Sequence, residues 1–478
     1  MAVERRSDTA RLNASESDHP YIGRIPVSTP GMEAKVLEAL NADRHQGGSA
    51  VEVTYYFSLN HDGAPFEGIA RAGRMVLEHG TLKPWHAEGD AAVRKPDGYD
   101  SFMSWATSAT LLESGSGGEA GLITIAYPLA FFDKRSDGRF PLSQFLMAAA
   151  SEPCSAFSFY RAAKIVDVKL PAALQSRCIG TRWPHARIRS YLELDDDEPL
   201  IGTIVKPKTG LTPELFSRSV VEAATAGARF TKADENMHLT LKEVSRYVGR
   251  VVQDLKAAGF DLALKGKARG KRFLFAPHIT TDVDSIDAYA RAALEAGANA
   301  LMFSPYYSGG FLSLSALVEK YDVPVYAHTA GMNVTCGSPF WGIDSRVMYM
   351  LAGLFGAAFM QLPTMNGYLR PLDVEKPAIL ATLRENGLEG MHGMTLAIAG
   401  GMGPKVIGAN MMALGETGRM FLAGTSVYSH PDGPTSGVKA LLAAYKAYKA
   451  ERITDVQGLR AYAEKLGGDE GKALLRSL

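Results

Sequence analysis

Two hydrophobic rhythms divide the chain. Between residues 49 and 180 the β-branched and aromatic content of 50–57 predicts a strand, and further strand-like runs follow at 74–77, 122–127 and 162–168. Helical stretches such as 142–148 lie between them, so 49–180 reads as a small α+β domain of ferredoxin-like type. Residues 1–48 precede it as an N-terminal arm. Its first 18 residues mix Arg5, Arg6 and Arg11 with Glu4, Asp8, Glu16 and Asp18 and are expected to be flexible. The Pro- and charge-rich passages around Trp183-Pro184 and Asp195-Asp196-Asp197-Glu198-Pro199 mark the far boundary of the small domain.

From Leu200 the rhythm becomes regular. Apolar runs recur at 201–205, 230–231, 272–276, 298–303, 323–327, 357–362, 394–399 and 419–423, most of them separated by amphipathic segments such as 214–226, 241–258 and 285–296. Gly227 and Gly297 stand where a left-handed residue stops a helix. Eight β-α repeats over about 225 residues are what a (β/α)₈ TIM barrel requires, so 181–445 is expected to form one, with 446–478 as a helical tail. A doubly wound open sheet is the competing topology, but its Gly-rich dinucleotide turn is missing after the first strand.

A barrel carries its chemistry at the C-terminal ends of its strands. Strand one ends in Lys206-Pro207-Lys208, strand two in Lys232, Asp234 and Glu235, strand five in His328, strand seven in Gly400-Gly401 and strand eight in Gly424-Thr425. On a strand, Lys232 and Asp234 share a face, and Glu235 joins them if the strand breaks there. Two chemistries fit this trio. An ammonium beside two carboxylates forms an ion pair. A neutral lysine that adds carbon dioxide becomes a carbamate, and the three anionic oxygen donors then suit Mg²⁺. The other strand-end groups also have two readings each: Lys206 as a surface ion-pair partner or a proton-transfer group, His328 as a core histidine or an active-site residue, and the glycines as tight turns or phosphate cradles.

Composition narrows the function classes. Lysine plus arginine equals aspartate plus glutamate, 51 each, so no global field recruits nucleic acid or an anionic membrane. A hydrophobic fraction of 46% and a charged fraction of 21% are ordinary for a globular protein. Cys154, Cys178 and Cys336 are scattered, with neither metal-binding spacing nor a disulfide framework, which suits a reducing cytosol and buried thiols. No apolar run reaches about 18 residues and the N-terminus lacks the apolar core of a secretory signal, so the expected location is cytoplasmic, away from membranes.

The stretches Thr203-Ile204-Val205-Lys206-Pro207-Lys208-Thr209-Gly210-Leu211 and Gly227-Ala228-Arg229-Phe230-Thr231-Lys232-Ala233-Asp234-Glu235 resemble the large subunit of ribulose bisphosphate carboxylase/oxygenase. They are closer to its non-carboxylating form IV relatives, the rubisco-like proteins. Ala126-Tyr127-Pro128-Leu129, Ser308-Gly309-Gly310-Phe311 and His430-Pro431 add to the resemblance, which spans roughly residues 50 to 450. It implies a carbamylated Lys232, one Mg²⁺ on Lys232, Asp234 and Glu235, proton transfer by Lys206 with Lys208 in support, and an active-site His328. It also implies a homodimer or an oligomer of dimers, in which a neighbour's small domain closes the barrel mouth. Glu78, Thr81, Lys83 and Trp85 are the candidates to reach across, with Lys83 or Trp85 meeting the substrate's anionic end.

The departures matter as much. The carboxylases have an arginine where Thr329 stands, a histidine at the end of strand six where this chain reads Met360-Gln361-Leu362-Pro363, and a serine where Ala399 stands. The strand-six loop Thr364-Met365-Asn366-Gly367-Tyr368 carries no lysine. No asparagine stands near 151–155, where the family pocket has one, and Glu78 to Trp85 has altered spacing. One of the two phosphate sites is therefore dismantled, whereas Gly400, Gly401, Gly424 and Thr425 leave the other in place. The expected activity is that of a Mg²⁺-dependent lyase or isomerase that forms an enediolate from a keto-sugar or keto-sugar acid with one phosphate or none. Decarboxylation, enolisation and isomerisation all remain open, and carbon fixation is excluded. A non-catalytic binding barrel and a Schiff-base aldolase using Lys206 are the alternatives.

Overall fold

The eight apolar runs beyond residue 200 become eight parallel strands: Ile201–Ile204, Phe230–Lys232, Leu274–Ala276, Leu301–Phe303, Val325–Ala327, Phe359–Pro363, Thr395–Ala399 and Arg419–Ala423. They are called barrel strands one to eight below. In this computed structural model the described residues are 19–44, 46–60, 63–83, 95–113, 118–132 and 137–478. Each barrel strand pairs with the next, and strand eight pairs with strand one. Between strands three and four the ring closes through a bridge from His278 to Met302, with Met302 N donating to Pro277 O at 2.9 Å and Ile279 N to Met302 O at 3.0 Å. The result is a (β/α)₈ barrel.

The barrel is filled rather than hollow. Leu200, Phe230, Leu274, Ala276, Met302, Tyr326, Phe359, Ala397, Met420 and Leu422 belong to one buried cluster. Three aromatic rings of this cluster pack against one another. Phe230 lies 4.9 Å from Phe359 and 5.9 Å from Tyr326, and Tyr326 lies 6.1 Å from Phe359, centroid to centroid. Each ring stands two residues before a polar residue, namely Lys232, His328 and Gln361. Because residues two apart share a face, the aromatic layer forms the floor beneath the polar layer. Gly202 belongs to this packing as an omission: a Cβ there would lie 2.8 Å from Leu422 Cδ1, 2.9 Å from Met420 Sδ and 3.1 Å from Phe230 Cδ1.

The helices start where their caps dictate. Thr212 caps Pro213–Thr225, accepting from Leu215 N, and Thr240 with Glu243 forms a capping box on Leu241–Ala257. Gly227 and Gly297 adopt φ of 117° and 101° after the helices they close. Helix Gly433–Glu451 runs through residue 445, so no break falls there, and Val456–Leu466 and Gly468–Ser477 lie in the same compact unit.

That unit comprises residues 138–140, 172–337 and 345–478; a second comprises the described residues up to 137 with 141–171 and 338–344. The second unit is built on a five-stranded sheet in the order 341–343, 160–169, 50–59, 119–128, 105–112. All pairs are antiparallel except that of Trp341–Ile343, a segment from far along the chain, which runs parallel to Tyr160–Lys169. The strand expected at 74–77 is instead part of helix Glu67–His79. Its three apolar positions, Met75 to Leu77, continue a helical repeat in which Ile69, Ala72, Gly73, Val76 and Leu77 are all buried. The Glu119 carboxylate accepts from Phe66 N and Ile69 N, at 2.6 Å each, and holds the start of that helix. The sequence reading did not include strand Trp105–Leu112, because a register shift between Ala106 and Ser108 breaks its alternation. Residues 19–48, read as part of an arm, contain helix Pro30–Leu40 and the buried Tyr21, whose hydroxyl donates to Asp344. No helix among the described residues is long and apolar enough to cross a membrane.

Gly202→Val should cost about 1–3 kcal/mol of stability, because the added methyls meet three packed side chains on a rigid floor. Urea unfolding of the two proteins measures it, and the midpoint should fall at an unchanged slope.

Candidate active site

At the C-terminal end of the barrel, the polar layer stands directly on the aromatic floor. Lys232 is the last residue of strand two and has no exposed surface. Its Nζ donates to Ala233 O at 3.2 Å and to Glu235 Oε2 at 3.4 Å, and lies 5.6 Å from the centre of the Tyr326 ring. Burial lowers its pKa to about 8, against the opposing pull of the Glu235 and Asp234 carboxylates, and the Lys206 ammonium pushes it in the same direction as burial. At pH 7 roughly a tenth of such an amine is neutral, against a few in ten thousand for an ordinary lysine.

Asp234 is buried and doubly held. Lys206 Nζ donates to its Oδ2, while Asn236 donates to its Oδ1 from the backbone at 3.0 Å and from the side chain at 3.2 Å. Burial would raise the Asp234 pKa, but these donors outweigh it and the net shift is downward. Asn236 Nδ2 also lies 3.4 Å from Glu235 Oε1. This residue orients both carboxylates, and the sequence reading did not single it out; its position next to Glu235 on a polar turn was the available signal.

His328 faces Glu235 from strand five. Its Nδ1 accepts from Ala330 N at 3.0 Å, so in the neutral ring Nε2 carries the hydrogen, and that nitrogen lies 3.3 Å from Glu235 Oε2. Burial, with Lys232, His278 and Lys206 nearby, holds the imidazole pKa well below its usual value, so the ring is a neutral hydrogen-bond donor to the carboxylate. The structure thus brings Lys206, Lys232, Asp234, Glu235 and His328 into one cluster. Lys208 lies apart from it, exposed on the turn after strand one.

The glycines have specific work. Gly400 and Gly401 adopt φ of 82° and 88°, and a Cβ on Gly400 would strike Leu369 Cδ1 at 2.4 Å. They lead through Gly403 into helix Pro404–Leu414. A Cβ on Gly424 would sit 3.2 Å from Lys206 Cε, so the bare backbone there leaves the lysine its path. Thr425 is exposed and opens the short helix Thr425–Tyr428.

The loop after strand six is fixed. Thr364 Oγ1 donates to Gly400 O at 2.6 Å, Met365 N to Asn410 Oδ1 at 2.8 Å and Asn366 N to Asp373 Oδ2 at 2.7 Å, while the buried Lys376 donates to Thr364 O at 2.8 Å. Gln361 is engaged beneath it, accepting from Tyr349 OH through its carbonyl. The small-domain candidates can be described only in part. Thr81 Oγ1 donates to Leu77 O, Lys83 is exposed with its carbonyl accepting from Tyr99 OH, and Trp85 lies outside the described residues.

Lysine, aspartate and glutamate thus stand together at the mouth of a filled barrel. The family model for the ribulose bisphosphate carboxylase large chain, catalytic domain, matches residues 186–466, more than half of the 478. The chain belongs to that family. It is 25% identical over 420 residues to a ribulose bisphosphate carboxylase of Methanocaldococcus jannaschii, covering 83% of this chain and 94% of that one. It is 29% identical over 301 residues to a 2,3-diketo-5-methylthiopentyl-1-phosphate enolase of Microcystis aeruginosa, covering 62% and 72%. To a 3-oxo-isoapionate-4-phosphate decarboxylase of Rhizobium rhizogenes it is 27% identical over 298 residues, covering 60% and 67%. The same fold occurs in the octameric ribulose-1,5-bisphosphate carboxylase/oxygenase of Pyrococcus horikoshii, at TM-score 0.74 and 21% identity over 92% of this chain and 96% of that one. It occurs also in a dimeric archaeal rubisco from Hyperthermus butylicus, at TM-score 0.73 and 19% identity over 93% and 98%.

Proposed function

We propose that the protein is a Mg²⁺-dependent lyase or isomerase that forms an enediolate from a phosphorylated keto-sugar or keto-sugar acid and does not fix carbon dioxide. The observation that carries this reading is the state of Lys232: fully buried, with its pKa lowered to about 8, and beside two carboxylates. An amine that is partly neutral at physiological pH adds carbon dioxide readily, and its carbamate with Asp234 and Glu235 makes a hard, all-oxygen donor set that fits Mg²⁺. When bound, the ion stabilises negative charge developing on substrate oxygens.

The remaining work falls to the chain. Lys206, whose side chain is 24% exposed at the mouth, is the group to which proton transfer at the substrate carbon is assigned. His328 stays neutral and keeps Glu235 oriented through Nε2–H. The glycine turn Gly400-Gly401 with the start of helix Pro404–Leu414 holds the phosphate, and Gly424 and Thr425 border it. One phosphate is the number carried by the substrates after which the enolase and decarboxylase relatives are named. Following solvent deuterium into keto-sugar phosphates and keto-sugar acids by NMR, with Mg²⁺ and bicarbonate, tests the reading. Failure of every compound to exchange would count against it.

Activation by carbon dioxide should follow the neutral fraction of Lys232. At fixed dissolved CO₂ its rate should rise about tenfold per pH unit up to pH 8 and level off above, because only the neutral amine reacts. Lys232→Ala should abolish both the ¹³C carbamate signal and turnover while leaving the circular dichroism spectrum intact. A pH-independent activation, or an active variant, would exclude the carbamate.

Ribulose 1,5-bisphosphate should not be carboxylated. Thr329, Gln361 and Ala399 offer no charge to a second phosphate, and the strand-six loop has no lysine to steer the step. Labelled bicarbonate appearing in phosphoglycerate above background would contradict this.

We further propose a homodimeric functional unit, with Lys83 and Trp85 of one chain completing the site of another, as the resemblance implies. A Lys232→Ala chain mixed with a Trp85→Ala chain, each inactive alone, should then recover activity. A fully active monomer would refute the shared site.

A further inference from the structure

Strand two ends at Lys232, so Asp234 and Glu235 ride on a turn and not on the sheet. Whatever fixes residues 233–237 therefore fixes the two carboxylates. Two bonds reach that turn from strand three and its continuation. At the near end Ala233 N donates to Ala276 O at 3.1 Å. At the far end His278 Nδ1 lies 3.2 Å from Met237 O. A carbonyl oxygen can only accept, so Nδ1 is the protonated nitrogen of this ring. Within the turn, Met237 N donates to Asp234 O at 3.1 Å, which ties the far anchor directly to the aspartate.

The ring is itself well placed for this task. Through its bridge to Met302, His278 continues strand three past Pro277, and its side chain is 8% exposed. Burial lowers its pKa to about 4, with His238 and Lys232 adding to the shift and the Met237 bond and Glu235 opposing it, so the ring is neutral at physiological pH. The His238 ring, 5.6 Å away, belongs to the same loop as Met237.

We propose that His278 is a positioning residue for the metal site, holding the Asp234–Met237 turn through its Nδ1–H bond to Met237 O and thereby setting the affinity for a divalent cation. The affinity half of this inference rests on the metal reading given above; the anchoring half does not. Partners that orient ligands from behind typically contribute about 10–100-fold to metal affinity.

Two substitutions separate the bond from the bulk of the ring. Counted along the side chain, the amide nitrogen of asparagine falls where Nδ1 is, and that of glutamine falls where Nε2 is. His278→Asn therefore keeps the donor to Met237 and His278→Gln removes it. Hydrogen exchange on the metal-free full chain reads the anchor, and Mn²⁺ titration with bicarbonate, followed by electron paramagnetic resonance, reads the affinity. His278→Gln should speed amide exchange at Asn236 and Met237 by about tenfold or more and weaken Mn²⁺ by about 10–100-fold, and His278→Asn should stay within about threefold of wild type in both. Unchanged exchange in His278→Gln would overturn the proposal. So would an asparagine variant that is as impaired as the glutamine one or globally unfolded, since the ring's packing would then be what matters. A wild-type protein that takes up no Mn²⁺ would overturn the metal reading and the affinity half together, while the exchange data would still decide the anchor.

Discussion

The site depends on keeping one amine out of water. Phe230, Tyr326 and Phe359 form an apolar floor under Lys232, and the lysine ends up with no exposed surface. Two opposing effects act on its charge: the neighbouring carboxylates favour the ammonium, and burial disfavours it. Burial wins, since the pKa falls from 10.5 to about 8. That shift corresponds to roughly 3 kcal/mol against the ammonium, net of the attraction to Asp234 and Glu235. A lysine depressed in the folded state subtracts stability. The penalty is complete below pH 8 and fades as pH rises towards 10.5, so the barrel carries it throughout the neutral range. A carbamate would relieve it by replacing a buried cation with an anion that a divalent ion can neutralise.

Much of this layout was legible in the residues. Parallel strands buried on both faces read as continuous apolar runs, and all eight appear where those runs stand. The strand-end rule then places Lys206, Lys232 and His328 at one mouth without any knowledge of packing. The rest was hidden for specific physical reasons. Three apolar residues at 75–77 suit either a strand or one turn of a helix, and only the buried repeat from Ile69 to Leu77 decides for the helix. Trp341–Ile343 joins a sheet whose nearest partner, Tyr160–Lys169, lies more than 170 residues earlier, and no local pattern encodes such a pairing. His278 was obscured by Pro277, which reads as a strand end. The ladder passes the proline through its carbonyl and the Ile279 N–H, neither of which proline chemistry forbids.

The two anchoring histidines divide the carboxylates between them. His328 reaches Glu235 directly through Nε2, whereas His278 reaches Asp234 only through the backbone of Met237. Both rings are neutral because both are buried, and each has one nitrogen committed to backbone: Nδ1 of His328 accepts from Ala330 N, and Nδ1 of His278 donates to Met237 O. The opposite sense of these two bonds fixes opposite tautomers. In the neutral state Nε2 is a donor on strand five and an acceptor on strand three, so the layer meets its surroundings with both kinds of group and adds no formal charge beyond its lysines and carboxylates.

The strand-six loop sets what this mouth can do. In a carboxylating relative the resemblance puts a flexible, lysine-bearing loop here. In this chain the corresponding segment is tied down by Thr364, Met365, Asn366 and the buried Lys376. A segment held by four hydrogen bonds on residues 364–366 cannot swing over a substrate without breaking them, and the buried one from Lys376 to Thr364 O would leave unpaired polar groups costing about 1–3 kcal/mol. It is therefore a wall, and Leu369 against Gly400 fixes its position beside the glycine turn. The proposed enediolate would have to be kept from stray protonation. With the strand-six loop tied in this way, that shielding would fall to other residues.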